Sequence, residues 1–355
     1  MNTPSPQQKV ADEFDVQARS CDDMGSPLYG ELCRVVAADV RSRGVCWSLL
    51  EPTAGLPFAL AVALRFLGAV HRIALRGDAP TLAAFFPSCG GVSGLGVDAA
   101  FLGVVRDHGR EISVGLSKGV QTNEVGRSAA LFEGLGVIQR RTGHPLSLRE
   151  VGCSGGLNLQ MDRFRYVDGD HVGGDPTSEV VIADRWRGGV RPRLAPIEVA
   201  DRAGCDPSPV DPLTDTGRLF LLGFLWPDQV DRLERTAAAI ELARSHPVRL
   251  EQARATDWLG SELRALSSSA GRATVVYHSI VWQYIERDER AAVDSIIETV
   301  GRTATSTNPL AWLRFEPSAS MEHAELTLRL WDGTSTGEIE LLARCGFHAQ
   351  WVELV

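Results

Sequence analysis

Apolar residues at helical spacing dominate the first part of the chain. After Ser26-Pro27, the residues Leu32, Val35, Val36 and Val40 share one stripe, which predicts a helix over Leu28–Arg43. Leu56–Leu75 is apolar nearly all round and reads as a central helix. Thr81–Phe86 predicts a short helix closed by Pro87, and Ala99–Arg110 and Asn123–Arg141 predict two more. No strand pattern precedes residue 147.

The second half changes period. Leu148–Val151, Val248–Leu250, Ala273–His278 and Ala311–Phe315 are apolar runs of strand length. Glu179–Ala183 and Arg191–Val199 predict a hairpin around Gly188-Gly189, and Ala324–Trp331 with His348–Leu354 predict a closing antiparallel pair. Arg218–Ser245 is helical with a break near Trp226-Pro227. Strands separated by helical patterns imply an α/β fold with a mainly parallel sheet. The expected division is a helical domain over 1–145 and a sheet domain over 146–355, with an inserted hairpin near 179–199.

Composition narrows the function classes. The 355 residues are 44% hydrophobic and 23% charged, enough for a full core. A net charge of −9 argues against a nucleic-acid partner. Met1–Lys9 is polar, and the most apolar run, Pro52–Leu64, stops at Arg65, short of the about 20 residues of a membrane span. Seven scattered cysteines without a CxxC pair read as reduced thiols, so a cytoplasmic protein with no membrane partner is expected. The eight histidines form no HxH or HxxxH pair, and no metal site is expected. The glycine-rich loop Cys89–Gly96 follows no strand and lacks lysine, so it is not a phosphate loop.

The most informative segment is Glu150-Val-Gly152-Cys-Ser154-Gly-Gly156-Leu-Asn158-Leu159, a short strand that enters a glycine turn and then an expected helix. Glycines there allow a sharp turn and close approach of a ligand, and a helix start offers free N–H groups. Three chemistries use such a turn. Dinucleotide binding needs a second glycine where this chain has Ser154, which argues against it. A nucleophile elbow, G-x-S-x-G, is matched by Gly152, Ser154 and Gly156, with Asp257 or Asp332 and then His348 as triad partners. An elbow, however, normally follows several strands. The third is the S-adenosylmethionine turn, an acid followed by x-G-x-x-x-G, fitted by Glu150, Gly152 and Gly156.

Downstream residues extend that third reading. Asp206, in Gly204-Cys-Asp-Pro-Ser, is the candidate for the ribose hydroxyls, with Asp184 and Asp201 as rivals. Asp257 and Trp258 suit an adenine, the carboxylate accepting from its amino group and the indole covering its face; helix capping by Thr256 or Asp257 is the plainer alternative. Tyr277, His278 and Ser279 end the fourth strand at the rim where ligands bind in such sheets. His278, or Glu316, which ends strand five at the same rim, is the candidate catalytic base. Gln121, Asn123, Glu124 and Arg127 crowd polar groups before the first strand and, with Asn158 after it, are candidate substrate contacts. Asn158 and Asp162 are spaced to share one face of the expected helix.

Together these segments, with Asp162–Tyr166, Leu225-Trp-Pro-Asp-Gln229, Arg232 and Trp312–Pro317, make the chain resemble an uncharacterised bacterial family catalogued as a domain of unknown function. The order of signals is similar to that of class I S-adenosylmethionine-dependent methyltransferases. That resemblance implies a Rossmann-like methyltransferase sheet with an N-terminal all-helical lid. It also implies a small-molecule methyl acceptor and S-adenosylmethionine held by Glu150, Gly152, Ser154, Gly156, Asp206, Asp257, Trp258 and Tyr277. The alternatives are a serine hydrolase acting through Ser154 and a non-catalytic metabolite-binding protein.

Overall fold

The computed structural model describes residues 5–57, 61–266 and 271–355. The chain divides into two compact units, 1–122 with 214–237, and 123–213 with 238–355. The division therefore falls earlier than 145/146, and the first unit takes back a later segment.

The first unit is helical. Ser5 caps α1 (Pro6–Asp23), its Oγ accepting from Gln8 N at 3.1 Å, with Pro6 in the first turn. The stripe Val10, Phe14, Ala18 and Cys21 is buried, and α1 lies along α2 (Pro27–Arg41), which buries Leu32, Cys33, Val36 and Val40. The polar first nine residues hide this stripe from a reading of the sequence. α3 (Val45–Leu50), α4 (Val62–Arg76), α5 (Pro80–Ala83), α6 (Val97–Asp107) and α7 (Gly109–Leu116) follow. α4 is the central helix expected over 56–75, of which residues 58–60 lie outside the described residues.

The second unit opens with a 3₁₀ turn, Val125–Arg127, and α8 (Ser128–Thr142). The helix starts later than Asn123 because the Glu124 carboxylate accepts from Gly126 N at 2.9 Å and fixes a turn there. α8 belongs with the sheet: a Cβ on its Gly134 would lie 2.8 Å from Leu313 and 3.2 Å from Leu326. The strands are β1 (Leu146–Val151), β2 (Arg165–Asp168), β3 (His171–Gly174), β4 (Val181–Ala183), β5 (Trp186–Arg187) and β6 (Val199–Asp206). After α9 (Asp215–Gly223) and α10 (Val230–Ser245) come β7 (Arg249–Gln252), α11 (Ala255–Leu266), β8 (Ala273–Ser279), α12 (Arg287–Gly301), β9 (Leu310–Pro317), β10 (Ala324–Trp331), β11 (Glu340–Cys345) and β12 (Val352–Leu354).

The main sheet runs β5-β12-β11-β10-β9-β8-β1-β6-β7. The strands β7, β6, β1, β8 and β9 are parallel, and β10 to β12 form an antiparallel meander. Chain order reverses between β1 and β8: β6 and β7 build outward on one side, β8 and β9 on the other. In open α/β sheets the crevice at such a reversal is where ligands bind.

Three expectations need correction. The hairpin at 179–199 does not form. Val181–Ala183 instead runs parallel to β2 in a separate three-stranded sheet, β3-β2-β4, and Trp186–Arg187 leaves to pair with β12. Ala324–Trp331 and the chain end are not partners, because β11 lies between them. The segment after the glycine turn is a seven-residue 3₁₀ helix, Leu157–Arg163, rather than an α-helix.

The two faces of the sheet carry different loads. Val151, Ala203, Cys205, Val276 and Trp312 pack under Trp258, Leu259 and Leu263 of α11 and Val293 and Ile297 of α12. Leu313, in register with Tyr277, faces α8 on the other side.

Candidate functional site

The turn after β1 is held by its own backbone. Cys205 O accepts from Gly152 N at 2.8 Å and from Cys153 N at 3.0 Å, and Cys153 O accepts from Gly156 N at 2.7 Å. Asp206 Oδ2 accepts from Ser154 N at 3.1 Å, and Asn123 Oδ1 from Leu157 N at 2.9 Å. Gly152 and Gly156 sit at φ +68 and +67, and Ser154 at φ +52. The glycines meet the protein's own side chains. A Cβ on Gly152 would lie 2.5 Å from Val281 Cγ2, and one on Gly156 2.6 Å from Leu250 Cδ2. Five N–H groups that a pyrophosphate would need are thus engaged internally, and no α-helix start lies behind them.

Glu150 and Tyr277 stand in register on the strands that flank the reversal. Both are buried, and Tyr277 Oη donates to Glu150 Oε2 at 3.2 Å. Burial pushes the Glu150 carboxyl up to about 8, against the Tyr277 hydrogen bond, which lowers it. Burial also raises the Tyr277 phenol well above its ordinary value. On the same side Arg127 is buried and donates from Nη1 to Ser279 O at 3.0 Å and from Nε to Phe347 O at 3.1 Å. Asn158 Nδ2 donates to Glu124 O at 3.2 Å, while its Oδ1 is buried with no hydrogen-bond partner.

His278, one residue on from Tyr277, points to the opposite face. Its Nδ1 is 2.6 Å from Glu316 Oε1, which also accepts from Val281 N at 3.0 Å and Trp282 N at 3.2 Å. The imidazole stacks on Trp282 at a centroid distance of 4.9 Å and an interplanar angle of 12°. Arg314 lies over both Trp282 and Trp312. His278 Nε2, Glu316 Oε2 and Ser154 Oγ are buried polar atoms with no hydrogen-bond partner. Such atoms are rare in a folded interior and mark places where a further polar group fits. With Glu316 on Nδ1, the free Nε2 is the nitrogen able to accept a proton.

The expected residues distribute as follows. Glu150, Gly152, Ser154, Gly156, Asp206, Tyr277, Asn123, Glu124, Arg127 and Asn158 gather at the carboxyl end of β1 and its neighbours. Among the acids considered for a ribose, Asp206 alone touches the turn: Asp201 pairs with Arg149 at 2.9 Å, five residues before the end of β6, and Asp184 lies just beyond β4. Asp162 does not share a face with Asn158 but pairs with Arg202 at 2.6 Å, since a 3₁₀ helix turns every three residues. Asp257 is exposed in the first turn of α11, and Trp258 is buried in the core under β6 and β8. Gln121 belongs to the helical unit. Ser154 Oγ has no histidine on it, and Asp332 is occupied by the N–H groups of Thr334 and Ser335. Among the described residues no group of three or more His, Cys, Asp or Glu is arranged to hold a metal ion. Val281 and Ile280 were not singled out by pattern; an apolar pair next to His278 carries no signal of its own.

The profile of the family described as "Uncharacterized protein conserved in bacteria (DUF2332)" matches residues 11–354. The chain belongs to this family. No curated protein and no solved structure matches it. Within the matched residues, Leu225-Trp-Pro-Asp-Gln229 is explained by packing within the helical unit. Asp228 accepts from Ser26 Oγ and from Leu28 N at the start of α2, and Gln229 Nε2 donates to Met24 O at 2.9 Å. No helix among the described residues is long and apolar enough to cross a membrane.

Proposed function

We propose that this chain is an S-adenosylmethionine-dependent methyltransferase acting on a small molecule, with the second unit as a Rossmann-like cofactor domain. The observation that carries the reading is the reversal of strand order between β1 and β8. A buried carboxyl, Glu150, and a glycine turn whose amides are already engaged meet there. A pyrophosphate ligand needs those amides; an adenosyl amino acid, recognised through carboxylates, does not. Bound S-adenosylmethionine would supply an electrophilic methyl group. Glu150 would face its cationic end, and Asp206, which accepts from Ser154 N and Ser208 N beside the turn, would face the ribose. Ser154 Oγ and Asn158 Oδ1 would gain partners. Methyl transfer is an in-line displacement, so positioning is the main contribution of the protein. His278, oriented by Glu316, would take the acceptor proton at Nε2.

Calorimetry with S-adenosylmethionine and S-adenosylhomocysteine tests this. Micromolar binding of either is the expected result, and none at millimolar ligand sinks the reading. Ser154, at φ +52 in a G-x-S-x-G turn, also favours a serine hydrolase on backbone geometry. That reading requires stoichiometric labelling by a fluorophosphonate probe that is lost in Ser154→Ala.

A further inference from the structure

We propose that residues 280–282 form a gate, closed in this structure, with Val281 over the glycine turn, Trp282 over His278, Glu316 as the latch and Ile280 as the hinge. The proposal rests on the reading of the glycine turn as a ligand site.

Four observations converge on these residues. First, the open face of Gly152 is filled by Val281: both methyls would lie within 2.7 Å of a Cβ built there. A ligand lying against that face must displace the isopropyl group. Second, the next residue, Trp282, lays its ring parallel to the His278 imidazole and covers it. One turn therefore closes both the cofactor turn and the proposed base. Third, its hydrogen bonds converge on a single atom. Glu316 Oε1 takes Val281 N, Trp282 N and His278 Nδ1, while Oε2, in the same carboxylate, is buried with none. A carboxylate loaded on one oxygen releases all three donors when it rotates. Fourth, Ile280 stands at φ +53, a region that a β-branched residue almost never adopts. Its N–H is tied to Phe315 O at 2.8 Å, so the strain sits between an anchored strand end and the two covering residues. Strain at such a point persists only while its surroundings enforce it, and a swing of 281–282 relieves it.

The gate explains how buried groups meet a ligand. Opening exposes Gly152, His278 Nε2 and Glu316 Oε2 together, so the turn accepts an adenosyl amino acid only as the base is uncovered. Val281 then sets what reaches Gly152, and Glu316 acts as a positioning residue.

The test measures stopped-flow association of S-adenosylhomocysteine with the full chain, and amide hydrogen exchange residue by residue. Val281→Ala should bind at least fivefold faster than wild type. Glu316→Gln should accelerate exchange at the Val281 and Trp282 amides at least tenfold while Val275 and Val276 in β8 keep their rates. Ile280→Gly, which removes the strain, should slow exchange at those two amides. Equal association rates for wild type and Val281→Ala overturn the gate. So does acceleration spread evenly along β8, which would make Glu316 a strand support. Absence of binding in both proteins defeats the adenosyl reading instead, and hydrogen exchange then decides the gate by itself.

Discussion

Tyr277 Oη and Glu150 Oε2 meet at 3.2 Å across two parallel strands, at the point where the order of the sheet reverses. A carboxyl buried there titrates far from its usual range, and its consequences are measurable.

Glu150 titrates near 8 in the folded chain and near 4.5 when unfolded. Between those values the folded chain holds a proton that the unfolded chain has lost. Stability is therefore fully present below pH 4.5 and falls as pH rises toward 8, by about 1.4 kcal/mol per unit at most. Urea unfolding from pH 5 to 8 should show this fall, and Glu150→Gln should flatten it. A variant with the wild-type slope would place the titration elsewhere.

Gly152→Ala should destabilise the chain by about 2–4 kcal/mol, because Ala at φ +68 is strained and its Cβ overlaps Val281. Adding Val281→Ala should recover the overlap part, about 1–2 kcal/mol, and leave the φ part. Purely additive losses in thermal denaturation would show that Val281 is not what excludes a side chain.

Arg127 satisfies two backbone carbonyls, one at the end of β8 and one before β12. Its loss leaves buried acceptors unpaired, so Arg127→Ala should cost about 2–4 kcal/mol of stability. Arg127→Lys should restore less than half, since an ammonium cannot reproduce the guanidinium fork. Full stability of the alanine variant in chemical denaturation would contradict the clamp.

Asp228→Ala should cost about 1–2 kcal/mol, because the carboxylate caps the start of α2 through Leu28 N and Ser26. The Kd for adenosyl ligands should stay within twofold. A tenfold loss of affinity without a stability change would move Asp228 into the site.

Ser154→Ala removes a hydroxyl that has no hydrogen-bond partner. Adenosyl affinity should stay within a few-fold, about 1 kcal/mol at most. A larger loss would mean that Ser154 grips the ligand directly.

Elements whose signals are local are legible in the sequence. The stripe Leu32, Val36, Val40 marks α2, the apolar runs at 273–278 and 311–315 mark β8 and β9, and Glu150 to Gly156 marks a tight turn after the first strand. These depend on period and on glycine, which a linear reading sees. The gathering of Asp206 and Tyr277 at that turn also followed, because parallel strands bring their carboxyl ends to one edge. Tertiary structure alone decided partners. Whether Val181–Ala183 turns back as a hairpin or pairs with β2 depends on which edge is free, and no local pattern encodes that. The segment expected as an α-helix after Gly156 is a 3₁₀ helix whose first N–H is held by Asn123, a residue distant in sequence. Tyr277 and His278 adjoin in the sequence, but the pleat of a strand sends successive side chains to opposite faces. Arg127 sits in a polar run that suits a ligand contact, and the fold gives it two carbonyls more than 150 residues away in sequence. Contacts of that range come from the closing of the sheet, where burial and the demand that buried polar groups be paired choose the partner.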